Sequence, residues 1–175
     1  TRTLSVVICT HNPRPDYLDR VLAALDAQTL SKDAWELLVV DNASKDAVAG
    51  RYGLAWHPRA RHVREETLGL ALARLRGIAE SSGDLLVFVD DDNVLAPDFL
   101  EKSSELLRSQ SHLGVFGVGV LTPQFEVEPP AVLRPYLHRL ALREVAKPQW
   151  SKNMADAASV PWGAGLCVTR PIAIS

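Results

Sequence analysis

Three short apolar runs, each closed by a cluster of polar residues, constrain this chain more than any other feature. Leu4-Ser5-Val6-Val7-Ile8-Cys9 is β-rich and almost continuously apolar, the pattern of a strand covered on both faces. It stops at Thr10-His11-Asn12-Pro13. Glu36-Leu37-Leu38-Val39-Val40 ends in Asp41-Asn42, and Leu85-Leu86-Val87-Phe88-Val89 ends in Asp90-Asp91-Asp92. Helical patterns separate these runs. From Asp16 onward Tyr17, Leu18, Val21, Leu22 and Leu25 recur at three- and four-residue steps. Residues 68–79 are rich in Ala and Leu and close at Ser81-Ser82-Gly83-Asp84, and Pro97 suits the first turn of a helix carrying Phe99, Leu100, Leu106 and Leu107. Residues 61–64 read as a short strand, and residues 114–121 as a glycine-punctuated one. Strands alternating with helices predict an α/β fold with a mainly parallel central sheet flanked by helices. Ligands of such sheets bind in the crevice outside the carboxyl ends of the strands, where all three polar clusters fall.

Composition narrows the function. The 175 residues are 47% hydrophobic, enough for one domain of ordinary size and too apolar for disorder. Nineteen Lys and Arg stand against 21 Asp and Glu, so the basic surplus of a nucleic-acid binder is missing. The apolar runs are too short to span a membrane, and the start, Thr1-Arg2-Thr3, does not read as a secretory signal. Cys9 and Cys167 each lie within an apolar run, which favours two buried thiols over a lone disulfide. A cytoplasmic location, with the cytoplasmic face of a membrane as a variant, fits these features. Residues 122–150 carry five prolines around an amphipathic piece at 132–142, an excursion from the sheet suited to shaping a second substrate's pocket. Residues 160–168 return to strand-like composition, and Arg170-Pro171-Ile172-Ala173 looks like the opening of a further helix. The expected layout is one domain.

Asp90-Asp91-Asp92 crowds three like charges that want a cation. Adjacent carboxylates offer hard oxygen ligands for Mg²⁺ or Mn²⁺, which commonly bridges protein to a diphosphate. A solvated acidic turn capping the next helix is the plainer alternative. An EF-hand loop fails, because Val94 and Leu95 stand where an oxygen ligand and a glycine are needed. The signature of haloacid dehalogenase phosphatases fits locally, with Asp90 as nucleophile and Asp92 as acid/base. That family opens its core with the motif, whereas here several β/α units precede it. The turn Thr10-His11-Asn12-Pro13-Arg14-Pro15 lacks the glycines of a dinucleotide-binding fingerprint, and neither a phosphate-binding loop nor a nucleophile elbow occurs.

Taken together the motifs resemble those of inverting family 2 glycosyltransferases, which have the GT-A fold. Ser5 through Asn12 is similar to the opening strand and base-contacting turn; Glu36 through Ser44 is similar to the strand whose aspartate binds the base. Leu68-Gly69-Leu70-Ala71-Leu72-Ala73-Arg74 resembles a third motif, with Leu75 where asparagine is usual. Val89 through Asn93 with Pro97 resembles the DxD region, and Pro161-Trp162-Gly163-Ala164-Gly165-Leu166-Cys167 the glycine-alanine segment of the acceptor side. The resemblance implies a sugar-nucleotide donor, a UDP-sugar above all, and a saccharide or other hydroxyl acceptor. It places Cys9, Thr10, His11, Asn12, Asp41, Asn42, Arg74, Asp90 and Asp91 around the nucleotide sugar, and a Mn²⁺ or Mg²⁺ ion on Asp92. Trp162, Gly163, Ala164 and Gly165 fall on the acceptor side, and the resemblance implies a single domain, 1–175, with 1–121 as its nucleotide-sugar-binding half and 122–175 as an incomplete acceptor-side part. Asp41 would accept the imide N–H of uracil and His11 would stack on the base; Trp162 is either a sugar platform or core. The family's catalytic base follows the glycine-alanine segment, so it is expected beyond Ser175; Glu144 and Asp156 stand before that segment. A sugar-nucleotide binding module without turnover is the alternative reading.

Overall fold

The computed structural model describes residues 3–140, 142–145, 147–151 and 159–175. Its centre is a six-stranded sheet in the order β3-β2-β1-β4-β8-β5. The first four are β1 (Leu4–Thr10), β2 (Trp35–Asn42), β3 (Ala60–Glu65) and β4 (Leu85–Asp90), all mutually parallel. Then β8 (Leu166–Thr169) runs antiparallel to β4, and β5 (Val115–Phe116) antiparallel to β8. A second, two-stranded sheet joins β6 (Val120–Leu121) to β7 (Arg143–Glu144).

The apolar runs form the inner strands because both of their faces are covered. Val6, Ile8, Leu37, Val39, Val87 and Val89 point to one side, where they pack with Leu18, Val21, Leu22 and Leu25 of α1 (Pro15–Asp26) and Leu100 and Leu107 of α3 (Phe99–Ser109). Their alternating neighbours Val7, Leu38, Val40, Leu86 and Phe88 face Ala73 of α2 (Leu70–Glu80). Each such side chain removed from water contributes about 1.5–3 kcal/mol, so this double-sided burial sets the strand order. Helix α2 reaches the sheet through Gly77, where an added Cβ would lie 2.4 Å from Val7 Cγ1.

Two expectations are corrected. Residues 114–121 form two strands rather than one: β5 extends the main sheet while β6 belongs to the small one. Gly117 and Gly119 lie between them, where a strand lacks side chains to hold it to either neighbour. Of residues 160–168 only the end is strand, since Pro161 cannot donate to a ladder and Gly165 adopts φ 69°. The amphipathic piece becomes a 3-10 helix, Ala131–Arg139, which contains Pro135. The short helix expected at the end is α4 (Arg170–Ala173). Cys9 and Cys167 are free thiols. Among the described residues no helix is long and apolar enough to cross a membrane.

Candidate functional site

The parallel ladder brings the polar strand ends together, because β1 pairs with β2 on one side and β4 on the other: Thr10 sits opposite Asp41, and Cys9 opposite both Val40 and Asp90. The side chains then tie one strand end to the next. Thr10 Oγ1 donates to Asp91 Oδ2, joining β1 to the turn after β4. The exposed His11 ring is fixed by its two edges: Nδ1 lies 2.7 Å from the Asn42 carbonyl and Nε2 2.8 Å from Asn12 Nδ2. With Asn12 donating from its amide, the consistent tautomer has His11 Nδ1–H donating to Asn42. Asn12 adopts φ 48°, its backbone N–H donates to Ser44 Oγ, and its Oδ1 accepts from Lys45 N. Asn42 is buried and holds the β3–α2 turn, accepting from Gly69 N at 2.8 Å and donating to the Thr67 carbonyl at 2.7 Å.

Asp41 is a buried carboxylate surrounded by donors of its own chain. Oδ1 accepts from Ser44 N at 3.1 Å; Oδ2 accepts from Val48 N at 3.1 Å and from Arg64 Nη1 at 2.7 Å. Burial pushes its pKa up, but the bonds from Ser44, Val48 and Arg64 outweigh that and hold it below the ordinary value. Oδ2 is thus held by the turn at 43–48 and by β3, while Oδ1, with a single bond, keeps an acceptor site for a ligand N–H. Ser44 and Arg64 are the site residues that composition could not single out, since Arg64 declares its role only through pairing across β2 and β3.

On the other side of β1 lies the carboxylate group. Arg74 reaches from α2 to within 3.4 Å of Asp90 Oδ1, and its guanidinium lies 5.5 Å from the centre of the Phe88 ring. It also lies against Gly163, where a Cβ would come within 3.0 Å of Arg74 Nη2. Burial pushes the Asp90 pKa up; Arg74 pulls it down, and Asp92 and Asp91 push it up again. The neighbouring Cys9 thiol is pushed up to about 12, chiefly by burial, so it stays protonated. Asp92 is exposed and accepts from Asn93.

Asp90 and Asp92 line a cavity of about 500 Å³ whose far wall is Trp162, Gly163 and Ala164, with Thr122, Gln124, Phe125, Leu140 and Leu142 closing it. Gly165 is buried just behind this wall and lines a second, more apolar cavity of about 360 Å³. The proline-rich excursion does shape this space, as its composition suggests, although which of its residues face inward depends on pairing between β6 and β7. Glu126 of the excursion is held by Arg14 at 2.7 Å. Glu144 lies in β7, and Asp156 falls outside the described residues. Among the described residues no three His, Cys, Asp or Glu side chains converge to hold a metal alone. Two hard carboxylates on one cavity wall nevertheless fit a divalent cation that completes its shell with water and ligand phosphates.

Comparison with known proteins places this geometry. The family model described as glycosyl transferase family 2 matches residues 5–161. Glycosyltransferase AglE of Haloferax volcanii is 33% identical over 102 residues, which are 57% of this chain and 33% of that protein. Among solved structures, S. aureus TarS 1-349 in complex with UDP-GlcNAc superposes with a TM-score of 0.61 at 20% identity, over 75% of this chain and 38% of that one. A mannosyltransferase from Pyrobaculum calidifontis in complex with GDP-Man and Mn²⁺ superposes with a TM-score of 0.60 at 25% identity, over 69% and 36%. The chain spans about a third of the length of the curated relatives it matches. The GT-A fold is thus the observed one, and the phosphatase reading of Asp90 falls away.

Proposed function

The chain belongs to glycosyl transferase family 2, and from that premise we propose that its crevice holds a sugar nucleotide while the protein transfers the sugar, with inversion, to an acceptor hydroxyl. The observation that carries the reading is the gathering of three strand ends into one crevice whose carboxylates Asp90 and Asp92 face a half-apolar cavity. The His11 ring, anchored by its edges, serves as the surface on which the base stacks. Asp41 works through the turn it holds, keeping Ser44 and Asn12 in place beside that base. Arg74 supplies positive charge next to Asp90, suited to the donor's diphosphate. The acceptor occupies the side of the cavity walled by Trp162, whose ring offers an apolar face to a pyranose.

Asp92, with Asp90 beside it, would hold a divalent cation together with the diphosphate. Such an ion supplies Lewis-acid stabilisation of the departing phosphate. Solved neighbours held with UDP-GlcNAc, and with GDP-Man and Mn²⁺, support the donor class and the cation. A UDP-sugar is the donor we favour. Calorimetric titration with UDP, GDP and dTDP, in Mn²⁺ and again in EDTA, tests this. UDP should bind in Mn²⁺ and lose its affinity in EDTA; no binding by any of the three would overturn the reading.

A further inference from the structure

The cavity of Asp90 and Asp92 has a wall that neither the motifs nor the strand ends supply. Gln124 of the proline-rich excursion lines it, and Pro123 before it has a fixed φ, so the root of the side chain is stiff. Two contacts tie this segment to α1, the helix that begins just after the turn of His11 and Asn12. Arg20 Nη2 donates to Gln124 Oε1, and Arg14 Nη1 lies 2.7 Å from Glu126 Oε1. Arg14 is itself braced: its guanidinium lies 4.0 Å from the centre of the Tyr17 ring, and its Nη2 3.4 Å from Asp16 Oδ2.

The Arg20 contact decides which way the Gln124 amide faces. A guanidinium has donors and no acceptor, so the atom it meets is the carbonyl oxygen; turning the amide over would set N–H against N–H. Oε1 is thereby occupied, and no partner among the described residues takes the Nε2–H₂ group. Other polar groups lining the cavity offer the opposite chemistry. Asp90 and Asp92 accept as carboxylates, and the Asn93 amide already donates to Asp92. A sugar hydroxyl can donate to a carboxylate and accept from an amide. The carboxylates mark the diphosphate end of the donor, so the group that extends past them into the cavity is its sugar.

We propose that Gln124 is a specificity-determining residue for the transferred sugar, donating from Nε2 to a hydroxyl or N-acetyl carbonyl oxygen, and that Arg20 is its positioning residue. The inference rests on the glycosyl-transfer reading of the crevice.

Calorimetric titration in Mn²⁺ with UDP, UDP-glucose, UDP-galactose and UDP-N-acetylglucosamine tests this. The quantity read is the affinity of each UDP-sugar divided by that of UDP on the same protein. The glucose and N-acetylglucosamine arms separate a hydroxyl from a carbonyl acceptor. Gln124→Glu keeps the contact with Arg20 as an ion pair but exchanges the amide donor for an acceptor, while Gln124→Met removes both at nearly constant size. Gln124 and Arg20 are exposed, so the variants should fold, which melting temperatures check. For the sugar that wild type favours most, Gln124→Glu and Gln124→Met should each lower the ratio about three- to tenfold, the worth of one hydrogen bond. Arg20→Met should lower it about twofold or more and add nothing in the Gln124→Met background. A ratio unchanged in both Gln124 variants for every sugar would overturn the proposal. So would a ratio kept in Gln124→Glu but lost in Gln124→Met, which would mark Gln124 as a structural tie to α1 alone. Additive effects of Arg20→Met and Gln124→Met would overturn the positioning role of Arg20. Absence of UDP binding by wild type would instead overturn the donor-site reading, and this inference with it.

Discussion

Asp41 stands where scaffold and crevice meet. Its carboxylate accepts from Ser44, Val48 and Arg64, so alanine there leaves two amide donors and a guanidinium without their acceptor. A lost hydrogen bond to a charged group costs about 1.5–3 kcal/mol, and Asp41→Ala should lower stability by about that much in a denaturant titration. UDP affinity should fall with it, because the turn that carries Ser44 loosens. Weakened UDP binding at unchanged stability would show that Asp41 instead touches the base directly. The motif around Asp41 was plain in the chain, but the partners of its carboxylate were not, because Arg64 arrives from a strand whose pairing no local pattern announces. His11 shows the reverse case: a residue readable as an ordinary turn histidine is fixed by one ring edge to the neighbouring strand end at Asn42 and by the other to Asn12 beside it.

At the scale of elements, one buried carboxylate holds four segments together away from the crevice. Glu36 of β2 accepts from Ser5 Oγ of β1 at 2.7 Å, from Arg61 of β3 at 2.9 Å, and from the N–H and hydroxyl of Ser82 before β4. Burial alone would raise its pKa, but the bonds from Ser5, Arg61 and Ser82 prevail and bring it to about 2. A folded pKa below the unfolded one adds stability that is complete above the unfolded value and lost as pH falls toward the folded one. Glu36 should therefore contribute fully at pH 7 and lose its contribution between about pH 4.5 and pH 2. Glu36→Gln should accordingly cost stability at pH 7, by about 3 kcal/mol on linkage arithmetic, and much less at pH 3, read from denaturation midpoints. An equal loss at both pH values would contradict the assignment.

Helix α2 supplies a packing test of the same kind. Alanine at Gly77 would gain up to about 1 kcal/mol of helix propensity, but its Cβ would press to 2.4 Å from Val7 Cγ1 in the centre of the sheet. Overpacking of that degree costs about 1–3 kcal/mol, so Gly77→Ala should lower the melting temperature rather than raise it. The helices and inner strands were legible because their periodicity and their burial agree. Residues 114–121 were not, because five apolar residues and three glycines suit either one strand or two. Only their partners, Cys167 and Val168 for β5 and Arg143 and Glu144 for β6, decide between these.

For the whole molecule, the topology performs the assembly that no single motif could. Placing β1 between β2 and β4 gathers residues separated by some eighty positions, such as Thr10 and Asp91, into one crevice. The antiparallel return of β8 then lays Trp162 and Gly163 opposite Asp90 and Asp92. The donor half of this arrangement could be anticipated from polar residues at strand ends. The wall formed by Thr122, Gln124, Phe125, Leu140 and Leu142 could not, since a proline-rich excursion has no period from which to tell its inner face. The central claim is that this crevice holds a sugar nucleotide with a divalent cation between its diphosphate and Asp92. Its most direct test is the Mn²⁺-dependent affinity for UDP of Asp92→Asn beside wild type and Asp91→Asn. Asp91 is already engaged by Thr10, and Asp92 is exposed at the cavity. Asp92→Asn should keep its fold, melt no lower without metal because one of three crowded like charges is gone, and lose the Mn²⁺-dependent part of UDP binding. Asp91→Asn should retain most of it. Undiminished Mn²⁺-dependent UDP binding in folded Asp92→Asn would contradict the account.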